Sequence, residues 1–448
     1  MTNSAEISDH SSITLHFARY VSQNVLGMLG VSCYIIADTF FISRAAGADG
    51  ITVLNLALPI YSLIFAMGSM IGIGSATRFA ILRAQGRREA DDYLGNAILW
   101  AFLLGLPLVL CGIFCPGLML RLMGGDAQIT ALGVGYARYM LLFTPFFMLN
   151  YIFSAFVRND GDPTRAMIST VSGSLFNIVF DYVLMFPVGM GLPGAALASA
   201  LAPIVSTLLN CTHFLSSENT LRFHFRLSFR NLLDSCRLGI SAFIGEFSSA
   251  VTTTVFNFLI LSLVGNIGVA AYGVVANFAL VAMAIFNGIS QGAQPLLSEA
   301  YGSGKKKDLA MLLRLGLFTS AAAALLIYAL VWGLTAPLVS LFNSEGDLTL
   351  AGYAFEGMRI YFLGFFFAGI NVYASGYFSA VNRPSEAGAA SISRGIAAII
   401  VCALLLAKLF GFTGVWASFP AAEGITFLMI LFFLSRKKEA SHQASFDI

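Results

Sequence analysis

The sequence predicts an all-α integral membrane protein whose twelve transmembrane helices form two six-helix bundles related by an internal repeat. Three observations lead there. Apolar residues make up 58% of the 448 positions and Lys, Arg, Asp and Glu only 11%, less than half the charge that a soluble domain carries. Long apolar runs recur between short polar or Gly/Pro breaks, and the two halves align on each other at nearly one offset. Twelve crossings of about 20 to 22 residues each use most of the chain, which leaves no room for an attached nucleotide-binding or DNA-binding domain.

The runs fall near 16–43, 50–79, 93–118, 130–156, 164–188, 193–216, 237–264, 268–298, 309–342, 348–379, 387–410 and 413–435. Their breaks carry turn-forming residues, such as Gly86-Arg87-Arg88, Gly124-Gly125-Asp126, Gly161-Asp162-Pro163 and Gly189-Met-Gly191-Leu-Pro-Gly194. That last string resembles a dinucleotide fingerprint, but it joins two membrane helices with no strand before it and reads as a tight turn. The first fifteen residues are polar and the apolar segment after them shows no cleavage signature, so the N-terminus is expected to be retained. The six cysteines have no zinc-type spacing and read as small packing residues. A net charge of +2 implies no nucleic-acid partner.

Orientation follows from the bases. The even-numbered connections and the C-terminus hold eighteen Lys and Arg, among them Arg83, Arg158, Arg222 and Lys305, whereas the odd-numbered ones hold only Arg44, Arg121 and Lys408. Lys and Arg resist translocation, so both termini are expected in the cytoplasm of a multi-pass protein of the cell membrane. The expected organisation is a first lobe at 1–216, a cytoplasmic linker at 217–236, and a second lobe at 237–448 ending in a short basic tail with Arg436, Lys437 and Lys438. A shift of 218 to 221 residues places Gly47 on Gly265, Gly86 on Gly304, Pro116 on Pro337, Asp126 on Asp347, Arg138 on Arg359, Asn150 on Asn371, Pro163 on Pro384 and Gly194 on Gly414. Two such parallel copies relate by an axis along the membrane normal, and pairs of this kind commonly bind substrate between them.

A carboxylate inside a membrane helix is costly unless it pairs, faces a cavity or takes a proton, and so marks function. Asp38 lies about 9 Å below the outer end of the first helix, Asp181 about 12 Å below that of the fifth, and Ser199 about 8 Å into the sixth, at 1.5 Å per residue. Asn177 is one turn from Asp181 on the same face. Asp oxygens, an Asn carbonyl and a Ser hydroxyl suit Na⁺, and two neighbouring carboxyls also suit a proton as a coupled pair; the ion is H⁺ or Na⁺. The repeat faces Asp38 with Phe256, Asn177 with Ala398, Asp181 with Cys402 and Ser199 with Phe419, so the cluster belongs to one lobe only. Glu246, with Tyr34 and Asn150, is a candidate for the substrate cavity; its alternative role is pairing with an internal base such as Arg394, which stands where the first lobe has Gly173. Glu423 is a weaker candidate, and Glu356 with Arg359 reads as a local pair. No Ser/His/Asp, HExxH or P-loop arrangement occurs, which argues against an enzyme. The many Phe and Tyr rings could partly line a cavity for flat cations.

Ala37-Asp38-Thr39-Phe40-Phe41-Ile42, Arg158-Asn159-Asp160-Gly161-Asp162-Pro163, Asn177-xxx-Asp181, Gly194-Ala-Ala-Leu-Ala-Ser199 and Gln291-Gly-Ala-Gln-Pro295, in this order and spacing, resemble the multidrug and toxic compound extrusion (MATE) family over most of the chain. The resemblance implies two lobes forming a V and export of small organic cations against inward H⁺ or Na⁺, with no cofactor. It also implies a first-lobe site matching Asp38, Asn177, Asp181 and Ser199, where a family Thr is replaced by Ser. Helix 1 here lacks the proline at which some members bend it. A monomer in the lipid bilayer is expected. A lipid-linked saccharide flippase, which would show a more basic central cavity, and a non-transporting signalling or scaffold protein are the alternatives.

Overall fold

The computed structural model describes residues 2–340 and 346–443, with side chains for 12–47, 49–340 and 346–435. The side chains of the basic tail, Arg436, Lys437 and Lys438 included, lie outside the described residues, as do 341 and 342 at the end of the ninth predicted helix. All regular structure among the described residues is helical.

The crossings are α1 (Ser12–Gly47), α2 (Asp49–Ala84), α3 (Arg88–Phe114), α4 (Ala127–Leu142 and Thr144–Asn159, bent by 45°), α5 (Pro163–Met185) and α6 (Leu192–Leu215). The run Phe229–Gly302 is 74 residues long, too long for one span, and breaks at Gly265 into α7 and α8. Then come α9 (Lys306–Ser340), α10 (Leu348–Ala380), and the run Pro384–Ser435, which breaks at Gly411 into α11 and α12. Twelve crossings result. The bend in α4 stands at Pro145, which occupies the first turn of its second segment, where a missing N–H costs nothing. The linker is shorter than its predicted 217–236, because α7 starts at Phe229, capped by the Ser228 side chain.

The repeat is visible in backbone geometry. Gly47 (φ 56°, ψ −143°) and Gly265 (φ 74°, ψ −162°) make the same turn between the first two helices of each lobe. Gly191 (φ 58°, ψ −136°) and Gly411 (φ 60°, ψ −135°) do so between the last two. Such angles exclude ordinary side chains, which is why glycine stands at these equivalent places. Exposed large apolar side chains such as Phe102, Leu106, Phe318 and Leu325 cover the outside of α3 and α9, a surface suited to lipid rather than water.

The lobes meet at the end that carries the basic connections. A Cβ on Gly239 of α7 would collide with the Met70 carbonyl of α2, and one on Gly292 of α8 would come within 2.8 Å of Val21 of α1. Asn24 donates to the Gly288 carbonyl at 3.0 Å and Ser75 to Ser235 at 2.8 Å, while Gln294 donates to Thr77 at 2.9 Å and accepts from Asn159 at 3.1 Å. Six residues beyond Gly239, about 9 Å along the helix, a Cβ on Gly245 would meet nothing. The lobes are therefore packed backbone to backbone at the basic end and leave open space beside Gly245.

Asp160, in the α4–α5 turn, ties this end together. It bonds Arg83 and the Thr220 hydroxyl, accepts from the Thr220 amide at 2.8 Å, and meets His213 Nε2 at 2.8 Å. Burial alone would raise the Asp160 carboxyl, but hydrogen bonds from His213 and Thr220 and the Arg83 charge outweigh it and hold the group below the usual carboxylate value. A depressed acid stabilises the fold above its unfolded value near pH ~3.9 and loses that contribution as pH falls through the folded value. Asp160→Asn should thus cost about 2–3 kcal/mol at neutral pH, read as a lower unfolding temperature in detergent, with the gap to wild type narrowing only below pH ~4.

Candidate functional site

Three helices bring the four sequence-derived ligands together. Asp38 comes from α1, Asn177 and Asp181 from successive turns of one face of α5, and Ser199 from the first turns of α6. Asn177 and Asp181 are fully buried, and Asp38 and Ser199 are each 8% exposed. With its amide nitrogen toward Asp181, Asn177 donates to Oδ2 at 3.2 Å, and its oxygen accepts from the Ser199 amide at 3.2 Å and the Ser199 hydroxyl at 3.0 Å. This orientation satisfies both ends of the amide. The Asp38 and Asp181 carboxyls are close neighbours, and a hydrogen bond between them would need a proton on one. Each still has a buried Oδ1 with no partner. Two unfilled carboxyl oxygens, an amide oxygen and a hydroxyl thus converge in a dry place, a donor set that fits a hard monovalent cation or a shared proton.

The wider surroundings are aromatic. Tyr34, one turn before Asp38 on α1, is half-buried. Tyr61 and Tyr136 have hydroxyls 2.6 Å apart. Tyr61 packs on Phe65 and Phe147 at 5.7 and 6.5 Å. Sequence reasoning did not single out Tyr61 or Tyr136, although the repeat faces them with Ala279 and Gly357. That is the same one-lobe signal that marked the acids.

The equivalent place in the second lobe is a core of rings. Phe256 and Phe419, which stand at the positions of Asp38 and Ser199, flank Tyr361; Tyr361 stacks on Phe419 at 4.3 Å and meets Phe256 edge-on at 6.2 Å. One scaffold is filled with ligand atoms in one copy and with apolar rings in the other.

Glu246 is half-buried and lines, together with Arg394, Gln291 and Ser375, a cleft on the inner side of the second lobe that the first lobe reaches through Ile73. The alternative expectation that Glu246 pairs with Arg394 is not met, because Arg394 binds Glu423 of α12 at 2.6 Å. Asn150 is half-buried with an unpartnered oxygen, and no hydrogen bond joins it to the acid cluster. Glu356 and Arg359 do not pair: Glu356 accepts from Thr413, and Arg359 lies over the Trp332 and Phe355 rings at 4.3 and 4.6 Å.

A duplicated twelve-helix membrane protein, with a cleft in its second lobe and buried acids in its first, has the architecture of a secondary transporter. The chain belongs to the MatE family, which it matches over residues 25–183 and 242–418. It is 25% identical over 441 residues to the multidrug export protein MepA of Staphylococcus saprophyticus, covering 96% of each chain. Its fold is that of an outward-facing multidrug resistance MATE family transporter of the MOP superfamily, with a TM-score of 0.87 at 20% identity over 95% of this chain and 96% of that one. A MOP superfamily transporter from Pyrococcus furiosus, described as having a binding pocket of reverse polarity that suggests a different function, matches equally in fold, with a TM-score of 0.87 at 19% identity over 95% and 96%.

The hydrogen bonds separate the two asparagines of the first lobe. Asn177→Leu should leave the Ser199 hydroxyl and Asp181 without their partner and cost about 1–3 kcal/mol. Asn150→Leu, which breaks no bond, should cost less than about 1 kcal/mol. Unfolding temperatures of the two variants in the same detergent check the contrast.

Proposed function

We propose that this protein is a secondary antiporter that exports lipophilic organic cations, driven by inward movement of H⁺ or Na⁺ through the first lobe. The observation that carries the reading is the buried cluster of Asp38, Asn177, Asp181 and Ser199, in which two neighbouring carboxyls each keep an oxygen without a partner among the described residues. Similarity to a multidrug export protein supports the substrate class. The fold alone does not decide pocket polarity, since it also carries a pocket described as reversed. The polarity here comes from this chain's own residues. Asp38, Asp181 and Glu246 face the aromatic first-lobe interior or the cleft, and the one base in the cleft wall, Arg394, is already neutralised by Glu423. An acidic cleft of this kind speaks for organic cations and against the anionic pyrophosphate of a lipid-linked saccharide.

The basic connections belong on the cytoplasmic side, so the closely packed end faces inward. A coupling ion entering the cluster from outside and a substrate leaving it compete for the same acids, and that competition links the two fluxes. One-for-one exchange of a monovalent organic cation for H⁺ or Na⁺ moves no net charge, so the drive is the ion's own gradient, about 1.4 kcal/mol and a tenfold substrate gradient for each tenfold in the ion; a second coupling ion would add about 2.3 kcal/mol per 100 mV.

Efflux of a fluorescent lipophilic cation from vesicles with imposed Na⁺ or pH gradients tests the function. Wild type should respond to one of the two gradients, and Asp38→Asn and Asp181→Asn should each lose the response; full gradient-driven efflux in both variants would remove the ion-site assignment. Sidedness has its own check. Cys115 is exposed at the end opposite the basic connections, so a membrane-impermeant maleimide added to intact cells should label wild type and not Cys115→Ser. Labelling only after permeabilisation would reverse the orientation.

A further inference from the structure

The second lobe has a polar cluster of its own, at a different place in the repeat. Arg394 of α11 donates from Nη2 to Glu423 Oε1 at 2.6 Å and from Nε to Oε1 and Oε2 at 3.1 and 3.3 Å. Asn371 of α10 donates to Glu423 Oε2 at 2.7 Å and to the Glu423 carbonyl at 2.8 Å. Glu423 is 1% exposed. In the first lobe the corresponding residues are Gly173 and Pro203, and a Cβ on Gly173 would collide with the Ser206 hydroxyl. The second lobe makes room for a guanidinium where its sister lobe admits no side chain, and α11 widens there into a π turn over Ser393–Ala397, an irregularity frequent at functional sites. A buried ion pair is poor value as a stabiliser, since apolar residues of the same volume do as well.

Three features direct this cluster toward a ligand. Arg394 reaches the wall of the second-lobe cleft, and its Nη1 hydrogen-bonds nothing among the described residues. Ser375, 5% exposed, lines the same cleft with an Oγ that has no partner. Glu246 lines it too and makes no ion pair among the described residues. With Glu423 balancing its charge, Arg394 offers directed N–H donors rather than net positive charge, and Glu246 is the uncompensated charge.

We propose that Glu246, Ser375 and Arg394 form a second ligand subsite in the cleft, which selects organic cations carrying a neutral carbonyl-type acceptor. Glu246 faces the cationic nitrogen, and Arg394 Nη1 and the Ser375 hydroxyl donate to the acceptor oxygen. A ligand with a carboxylate in place of the neutral acceptor leaves one negative charge unbalanced and is disfavoured. The proposal rests on the transport of cations and adds which cations are preferred.

Binding to the purified full-length protein tests it, by competition against a fluorescent lipophilic cation. The probes are a tetraalkylammonium ion, an equal-sized quaternary ammonium ester, and the matching quaternary ammonium carboxylate. Wild type should bind the ester about tenfold more tightly than the alkyl ion, one charge-assisted hydrogen bond's worth, and the carboxylate more weakly than the ester. The double variant Arg394→Met/Glu423→Gln, which leaves no orphaned charge, should bring the ester-to-alkyl ratio down to about threefold, and Ser375→Ala should also lower it by about threefold. Equal affinities in wild type, an unchanged ratio in Ser375→Ala, or a double variant that folds and keeps the ratio would overturn the subsite. Because the readout is a ratio of affinities, it stands whether or not vesicle efflux follows an ion gradient, so failure of the transport reading is seen separately.

Discussion

The first lobe is organised around two neighbouring buried carboxyls. Asp38 and Asp181 come from helices that are distant in sequence, and in a medium without water neither can stand charged beside the other at small cost. A shared proton or a cation resolves the conflict. Asn177 bonds both Asp181 and Ser199 beside the pair, and Tyr61 and Tyr136 bond each other through their hydroxyls. Whatever changes the occupant changes the balance of charge on which the packing of α1 against α5 and α6 depends. A small ion can in this way act on helices that span the membrane.

Duplication explains why this arrangement can be specialised without losing the fold. Both lobes turn at equivalent glycines, cap their fourth helices with Asp126 and Asp347, and begin their fifth with Pro163 and Pro384. Side chains at the polar clusters inside the copies have diverged. Where the first lobe has Asp38 and Ser199, the second has Phe256 and Phe419 stacked about Tyr361. Where the second has Arg394 and Glu423, the first has Gly173 and Pro203. The second lobe fills with apolar rings the place where the first lobe holds its buried acids.

Much of this was legible in the sequence, for reasons that are physical. Helix spans followed from apolar length, and the turns at Gly47 and Gly265 from residues that alone tolerate those angles. Asp38 and Asp181 stood out because charge in a membrane helix is rarely idle. The repeat predicted which polar groups were not architectural, and applied to Tyr61 and Tyr136 it would have found them as well. What depended on side-chain direction was not legible. Arg394 could have met Glu246 or Glu423 by depth alone, and only the packing of α11 against α12 chose Glu423. Arg359 turned to the Trp332 and Phe355 rings rather than to Glu356 one turn away, a choice that spacing does not reveal. The start of α7 at Phe229 was hidden because its first turns are as polar as the linker before them.

The most direct test of the central claim is proton release by the purified protein in weakly buffered detergent on addition of Na⁺ or of a lipophilic cation. If Asp38 and Asp181 hold a proton that the incoming cation displaces, wild type acidifies the solution and the Asp38→Asn/Asp181→Asn double variant does not. Equal release from both proteins would contradict the account.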